Sequence, residues 1–317
     1  MILRILFCIL FTLIPSLRAK EVLVVAGLGG SEEYREIFQE NIQLWSLACG
    51  KAGVPCEVLG NDESETGLKE KLQKRLAENG DKELWLILIG HGTFDERTAK
   101  FNIAGEDFTA KELAEWCKPV TGELVVVNTA SASSPYLTEL AGENRTIITA
   151  TKSPNEIFYA RFGEYFSKAI AGHEEADLDN DDQVSLLEAF LYSSNKVTEF
   201  YSIAGRLATE HALIDDNGDG LGTRAEWFEG VSATKTARDG AEPDGLRAMQ
   251  QVLVLNNLEK NFPPELRKDR DTLERKVRLL RRDKPNMPED NYYKQLEDLL
   301  QKLGRIYQQA EKASAEP

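Results

Sequence analysis

Short apolar runs alternate with amphipathic stretches along the first half of the chain. Five runs rich in β-branched residues end at turn signals, which predicts strands. They cover residues 22–26, 56–60, 83–92, 123–130 and 145–153. Helical periodicity fills the gaps, over residues 31–52, 65–80, 108–117 and 134–142. This alternation predicts an α/β fold, with a mostly parallel sheet, helices on both faces and ligands beyond the carboxyl ends of the strands.

The second half of the chain has a helical pattern. Helices are predicted over residues 155–172 and 185–212, with two acidic loops between and after them. A charged tail follows residue 240. Its apolar positions recur at alternating steps of four and three, and prolines interrupt it, which predicts a hairpin of short helices. The apolar positions are Tyr292, Leu296, Leu299, Leu303 and Ile306.

The first 19 residues have the pattern of a secretory signal peptide. Arg4 precedes an apolar stretch that ends near Ile14, and small residues lead up to Ala19. The apolar stretch is too short to span a bilayer, and no later segment is long and apolar enough. We therefore expect an exported protein, periplasmic or secreted, with no transmembrane segment after cleavage. An uncleaved membrane anchor is the alternative.

The chain is acidic, with a net charge of −15. Without residues 1–19, 36 Lys and Arg face 53 Asp and Glu, a net charge of −17. Nucleic acid is excluded as a partner because phosphate contacts need clustered basic residues, whereas a cation is favoured. Three cysteines remain beyond the signal peptide, Cys49, Cys56 and Cys117, which allows at most one disulfide.

The two acidic loops carry the strongest motif. They begin at Asp177 and Asp215, 38 residues apart. Each offers oxygen atoms at positions 1, 3, 5, 9 and 12 of a twelve-residue loop, with a backbone carbonyl at position 7, as calcium requires. The predicted ligands are Asp177, Asp179, Asp181, Gln183, Ser185 and Glu188 in the first loop, and Asp215, Asn217, Asp219, Leu221, Thr223 and Glu226 in the second.

Both loops resemble the EF-hand. The second loop fits the D-x-[DN]-x-[DN]-G-x5-E pattern, and Gly220 supplies its sharp bend. The first loop has Asp182 at that bend, and the second has Gly222 where paired loops usually carry a branched aliphatic. The resemblance implies helices on either side of each loop, a paired arrangement and Ca²⁺ as the cofactor. A chance acidic match in a surface loop is the alternative.

A second candidate site lies where two strands end. His91-Gly92 follows the third strand, and Ala130-Ser131-Ala132 follows the fourth. In a parallel sheet both ends point to the same edge, so these residues can face each other. This pattern resembles the caspase and legumain superfamily of cysteine peptidases, in which His-Gly supplies the base and Ala-Cys-x-Ser-Gly the nucleophile. Ser131 falls where the cysteine belongs, or Ala130 if the register shifts by one.

The missing cysteine decides the functional prediction. A thiol ionises near neutral pH, whereas a serine needs a tightly bound base and an orienting carboxylate. We therefore expect an exported calcium-binding protein with a legumain-like domain that is a degenerate peptidase, its small residues forming a pocket. The alternatives are an active hydrolase with Ser131 as nucleophile and His91 as base, a domain that binds a peptide or protein ligand, and a dockerin-like interaction module.

The expected organisation has four parts. They are a signal peptide over 1–19, a caspase-like α/β domain over 20–171, a paired EF-hand-like region over 172–240 and a charged helical hairpin over 241–317.

Overall fold

The structure is a computed structural model that describes residues 20–62, 64–235, 237 and 241–315. The predicted signal peptide, residues 1–19, lies outside the described residues.

A six-stranded sheet forms the centre of the protein. Its strands are β1 (Lys20–Ala26), β2 (Cys56–Leu59), β3 (Glu83–Ile89), β7 (Leu124–Asn128), β8 (Arg145–Thr149) and β9 (Leu213–Asp215). Their order is β2-β1-β3-β7-β8-β9, and all neighbours are parallel except β8 and β9. The predicted mostly parallel α/β sheet with helices on both faces is confirmed. The sixth strand was not predicted, and it comes from within the segment 172–240.

Helices cover both faces of this sheet. They are α1 (Glu32–Ala52), α2 (Leu68–Ala77), α3 (Ala110–Trp116), α4 (Ser134–Leu140), α5 (Phe162–Ile170) and α6 (Leu186–Ile203). Successive strand residues point to opposite faces. Val24 and Ile87 therefore pack with α1, α5 and α6, while Val25 and Leu86 pack with α2, α3 and α4. The continuous apolar runs in the sequence reflect this burial on both sides.

Three short strands form a second, antiparallel sheet beside the carboxyl edge of the first. They are β4 (Gly92–Phe94), β5 (Ala99–Phe101) and β6 (Phe108–Thr109). Sequence periodicity did not predict them because strands of two or three residues have no measurable period. This sheet matters for the candidate peptidase site, since Gly92 begins β4.

Two helix predictions were too long. Residues 155–161 are not helical, and α5 begins at Phe162 because the carboxylate of Glu210 accepts hydrogen bonds from the N–H groups of Arg161 and Phe162, both at 3.0 Å. The helix α6 ends at Ile203 rather than near residue 212, and Gly205 beyond it has a left-handed φ of 61°. A tertiary contact therefore overrides helical propensity before α5, whereas a left-handed glycine follows the end of α6.

The described residues after the second acidic loop include two small strands and three α-helices. They are β10 (Phe228–Glu229), β11 (Ser232–Ala233), α7 (Asn257–Asn261), α8 (Pro264–Asp283) and α9 (Glu289–Ala315). Helices α8 and α9 pack against each other as a hairpin. They are longer than the sequence predicted, because Pro264 is the first residue of α8 and Pro288 precedes α9, where a missing N–H costs nothing. In the part of the chain that the structure describes, no helix combines the length and apolarity needed to cross a membrane.

Candidate functional site

The first acidic loop is closed by a buried glutamate. Ser185 is the N-cap of α6, and its hydroxyl and N–H both donate to Glu188 Oε2 at 2.8 Å. The other oxygen, Oε1, accepts the N–H groups of Leu178 (2.9 Å) and Asp179 (3.3 Å). Glu188 is 3% exposed. One carboxylate therefore joins the beginning of the loop to its end.

Asp177 organises the turn of the same loop. Its two carboxylate oxygens accept the N–H groups of Asp181 (3.1 Å) and Asp182 (3.0 Å). Asp182, at the sixth position, has a left-handed φ of 65°, and Asn180 has a φ of 59°. Asp and Asn tolerate this region better than most side chains. The loop thus makes the sharp bend without a glycine.

Three carboxylates of the first loop converge. Ligand oxygens of Asp177, Asp179 and Glu188 all lie within 4.8 Å of one another. Oxygen atoms bound to one calcium ion at 2.3–2.6 Å can be at most about 5 Å apart, so this spacing fits a shared ion. Partial desolvation, and then the neighbouring carboxylates Glu188 and Asp177, raise the pKa of Asp179. The crowded negative charge favours a cation at this position.

The other predicted ligands of the first loop have protein partners. The Asp181 carboxylate accepts hydrogen bonds from the backbone N–H (3.1 Å) and side-chain amide (3.0 Å) of Gln183. The Ser185 hydroxyl donates to Glu188. Asn256 fastens the chain before α7 to this loop, with its side-chain amide donating to the Asp181 carbonyl at 2.7 Å. The loop therefore has a fixed backbone on the side that faces the tail.

The second acidic loop has the same kind of turn. Asp215 is fully buried at the end of β9, and its carboxylate accepts the N–H groups of Gly218 (2.8 Å) and Gly220 (2.7 Å). Gly220 has a left-handed φ of 71°. Asn217 and Asp219 accept the N–H groups two residues further on, at Asp219 and Leu221, both at 2.8 Å. Four of the six predicted ligand residues thus take part in one compact turn.

The end of the second loop differs from the end of the first. Glu226, predicted to close the loop, has a side chain that is 56% exposed and pairs with Arg224 at 2.5 Å. Thr223 pairs with Ile214 through two backbone hydrogen bonds, and its hydroxyl donates to Asp244 Oδ2 at 2.5 Å. Among the described residues, the second loop does not bring three carboxylates together as the first does.

The prediction of helices on both sides was wrong for the second loop. The second loop follows strand β9 and leads into a 3-10 turn at Ala225–Trp227. The first loop lies between α5 and α6, with a 3-10 turn at Glu174–Ala176 between α5 and the loop. The two loops do not bridge each other next to the pairing position, since the ninth residues Ser185 and Thr223 form bridges with Val252 and Ile214 instead.

Two buried aspartates that hold the second loop, Asp216 within it and Asp244 after it, were missed by sequence reasoning. Asp244 accepts the N–H of Asp216 at 3.1 Å, and Asp216 accepts the N–H groups of Gly245, Arg247 and Ala248 at 2.8–2.9 Å. Burial, and then the nearby Asp216, raise the pKa of Asp244 to about 7. The sequence AEPDG suggested only a domain boundary, although an Asp before a Gly is a common signal for such a turn.

The candidate peptidase residues lie at the carboxyl edge of the sheet, in adjacent loops after β3 and β7. The Nε2 atom of His91 is 3.2 Å from the carbonyl oxygen of Gly29. The imidazole packs edge-on against Tyr34 and Phe38, with ring centroids 4.8 and 5.1 Å away. Burial lowers the pKa of His91, so the neutral ring is favoured. These contacts are those of a packed, structural histidine.

Ser131 is bound to the backbone of Gly92. Its hydroxyl donates to the Gly92 carbonyl at 2.9 Å and accepts the Gly92 N–H at 3.2 Å. The serine proton therefore points to a carbonyl and not to an imidazole. The hydrogen bonds of Ser131 and His91 thus go to different backbone groups among the described residues.

The small residues around Ser131 do not form the predicted pocket. Residues 130–134 are all buried. A Cβ atom added to Gly92 would lie 2.1 Å from the carbonyl oxygen of Ser131, so only glycine permits this approach. Ser133 and Thr151 exchange further hydrogen bonds between the loops. The small side chains therefore serve close packing of the loops that follow β3, β7 and β8.

A carboxylate–imidazole pair lies next to this loop and was not predicted. Glu156 Oε1 is 2.6 Å from His211 Nδ1, and its backbone carbonyl accepts the N–H of Ala132 at 2.8 Å. The second carboxylate oxygen accepts the N–H groups of Lys152 and His211. The Glu156 carboxylate therefore ties the loop after β8 to the segment before β9, while the Glu156 carbonyl ties it to the Ser131 loop. The sequence does not predict this pair, because Glu156 and His211 both lie in segments with a helical pattern, 155–172 and 185–212.

Comparison with known proteins adds little. No family model matches the chain, and no curated protein matches it. Among solved structures, the chain is similar to the Drosophila initiator caspase Dronc, with a TM-score of 0.39 and 9% identity over 65% of this chain and 82% of that chain. The fold class rests on the sheet described above, and nothing about activity is taken from this likeness.

Proposed function

We propose that the protein binds calcium through the first acidic loop. The observation that carries this proposal is the convergence of Asp177, Asp179 and Glu188, whose oxygens lie within 4.8 Å of one another. Calcium prefers hard oxygen ligands and tolerates irregular geometry. Further oxygens, including the predicted carbonyl of Gln183, lie in the same loop, and water completes the coordination of many such sites.

The second acidic loop is a weaker calcium site in this proposal. Asp215, Asn217 and Asp219 are gathered in its turn, which supports some affinity. Its closing residue Glu226 is paired with Arg224 and is exposed, so the two oxygens that a closing glutamate adds are missing. We assign this loop a mainly structural role, with calcium binding only at high concentration.

The caspase-like domain is a non-catalytic scaffold in this proposal. A serine nucleophile needs a base within hydrogen-bond reach and a carboxylate that orients this base. Ser131 bonds to Gly92, and His91 faces Gly29 and two aromatic rings. The pattern of the first 19 residues supports export, and calcium concentrations outside the cytoplasm suit weak sites of this type.

Calcium titration of the purified protein tests the metal proposal. Isothermal titration calorimetry is expected to show one stronger site, and calcium is expected to raise Tm because it binds only the folded state. Asp179→Asn should weaken this site roughly tenfold or more, since it removes one charged ligand. Asp182→Asn is the matched control in the same loop, because Asp182 lies outside the cluster and Asn tolerates the left-handed bend.

Equal calcium affinity in these two variants would contradict the assignment. So would a Tm that is identical in calcium and in chelator. For the scaffold proposal, incubation with a peptide library and calcium should give no cleavage above that of the Ser131→Ala variant. Cleavage that both Ser131→Ala and His91→Ala abolish would establish the active hydrolase instead.

A further inference from the structure

Two of the three cysteines in the described residues meet in the folded protein. Cys49 lies in the last turn of α1 and is buried, while Cys56 begins β2 and is partly exposed. Cys56 packs against the apolar cluster that contains Cys49, and each thiol shifts the pKa of the other. The sequence allowed one disulfide without identifying its partners, and this contact identifies them.

A tight chain reversal holds the two cysteines together. Gly53 ends α1 with a left-handed φ of 66°, and its N–H donates to the Gly50 carbonyl at 3.3 Å. The N–H of Val54 donates to the Cys49 carbonyl at 3.0 Å, and the carbonyl of Pro55 accepts the N–H of Val22 at 2.9 Å. Both sides of the reversal between Cys49 and Cys56 are therefore anchored by backbone hydrogen bonds.

The two sulfur atoms have different reactivity. The hydrogen bond from Cys49 is the main cause that lowers the pKa of Cys56 to about 7. The same bond, and then burial, raise the pKa of Cys49. The thiolate therefore forms at Cys56, which is also the thiol that a reagent can reach. Cys117 differs from both, because it is fully buried and burial raises its pKa to about 12.

We propose that Cys49 and Cys56 are a redox site that closes to an intramolecular disulfide by exchange with a small-molecule disulfide such as oxidised glutathione. The Cys56 thiolate attacks one sulfur of glutathione disulfide and releases one glutathione thiolate. Cys49 then loses its proton, and its sulfur attacks the Cys56 sulfur and releases the second glutathione. Two protein thiols are oxidised and one glutathione disulfide is reduced to two thiols.

The disulfide would join the end of α1 to the start of β2. Because it closes a short loop, its stabilising effect is modest, and we expect Tm to rise by roughly 2–5 °C. This site is remote in sequence from both acidic loops and does not depend on the calcium proposal. In an oxidising compartment the pair would be closed, and in a reducing one open.

Tryptic mapping tests the proposal directly. Lys51 lies between the two cysteines, so trypsin releases them on separate peptides, residues 36–51 and 52–69. The full-length folded protein is incubated with oxidised glutathione, its free thiols are blocked with N-ethylmaleimide, and the digest is analysed without reductant. We expect the two peptides to remain linked by a disulfide. Cys117 should stay a free thiol, which maleimide labels once the protein is unfolded.

Variants distinguish this pair from random oxidation. Cys117→Ala should give the same linked peptides as the wild type, whereas Cys56→Ser should abolish the link and leave Cys49 unmodified. Cys49→Ala should stop the reaction at glutathione bound to Cys56. Recovery of peptides 36–51 and 52–69 as separate species from the wild type would overturn the proposal, whether Cys56 carries maleimide or glutathione.

Discussion

The two acidic loops have similar sequences but are closed in different ways. In both, the first aspartate accepts backbone N–H groups from the turn, and the sixth residue has a left-handed φ, 65° at Asp182 and 71° at Gly220. The two loops differ at the twelfth position, where the side chain of Glu188 is buried and that of Glu226 is exposed. A twelve-residue pattern therefore predicts the turn better than it predicts the metal site.

The element that follows each loop explains this difference. Glu188 is the third residue of α6, and the capping box with Ser185 turns its side chain back over the loop. Glu226 lies in a 3-10 turn, where it has no such cap, and Arg224 pairs with it instead. The buried acid Asp244, which lies outside the pattern, bonds to Thr223 and holds the second loop together.

The largest effect is expected from Asp244→Ala. This change removes the acceptor of the Asp216 N–H and the Thr223 hydroxyl, so we expect a loss of about 2–4 kcal/mol in the free energy of unfolding. Because the second loop is held by the protein itself, urea unfolding should give the same loss in calcium and in chelator. Glu226→Ala, on the exposed end of this loop, should change stability by about 0.5 kcal/mol or less. A loss for Asp244→Ala that occurs only in calcium would refute this distinction.

A smaller effect is expected when the closing glutamates are exchanged for glutamine. Glu188→Gln keeps an acceptor for Ser185 but removes a ligand charge, so the stronger calcium site should weaken roughly tenfold or more in a calorimetric titration. Glu226→Gln should leave this affinity within about twofold. If both variants weaken calcium binding equally, the two loops are closed alike in solution and the comparison fails.

The smallest effect is expected from Arg224→Ala. Without its partner, Glu226 is free to turn towards the second loop, and we expect the weaker calcium site to strengthen by roughly twofold to fivefold. Lys235→Ala is the matched control, because it removes another positive charge near the same loop, where Lys235 donates to the Gly222 carbonyl at 3.3 Å. A similar gain in calcium affinity in both variants would mean that the loss of any positive charge near the loop is enough, whichever way Glu226 points.

Much of the fold could be predicted from the sequence because its signals are local. Long β-branched runs gave five of the six central strands, and turn residues such as Gly53 marked helix ends. The sixth strand, β9, was missed because it has three residues and ends in Asp215, which was assigned to a loop. The local pattern predicts a helix from residue 155, whereas the distant Glu210 binds the N–H groups of Arg161 and Phe162 where α5 begins.

The candidate sites were predictable in position but not in geometry. Parallel strands place His91 and Ser131 at one edge of the sheet, as expected. Which groups these side chains bond to depends on the packing of Gly92 against the Ser131 carbonyl, which no local pattern encodes. In the same way, the motif identified Glu188 and Glu226 as equivalent, although the element after each loop decides their direction.

The bridge between Ile214 and Thr223 has a consequence for self-association. Strand β9 is the last strand of the central sheet, and its outer backbone groups at Ile214 are already bonded to Thr223 of the protein's own loop. A strand from another molecule cannot pair with β9 there unless the two hydrogen bonds between Ile214 and Thr223 break first. The opposite border, β2, has only four residues and carries the exposed charge of Glu57, so both borders resist fibre-like growth.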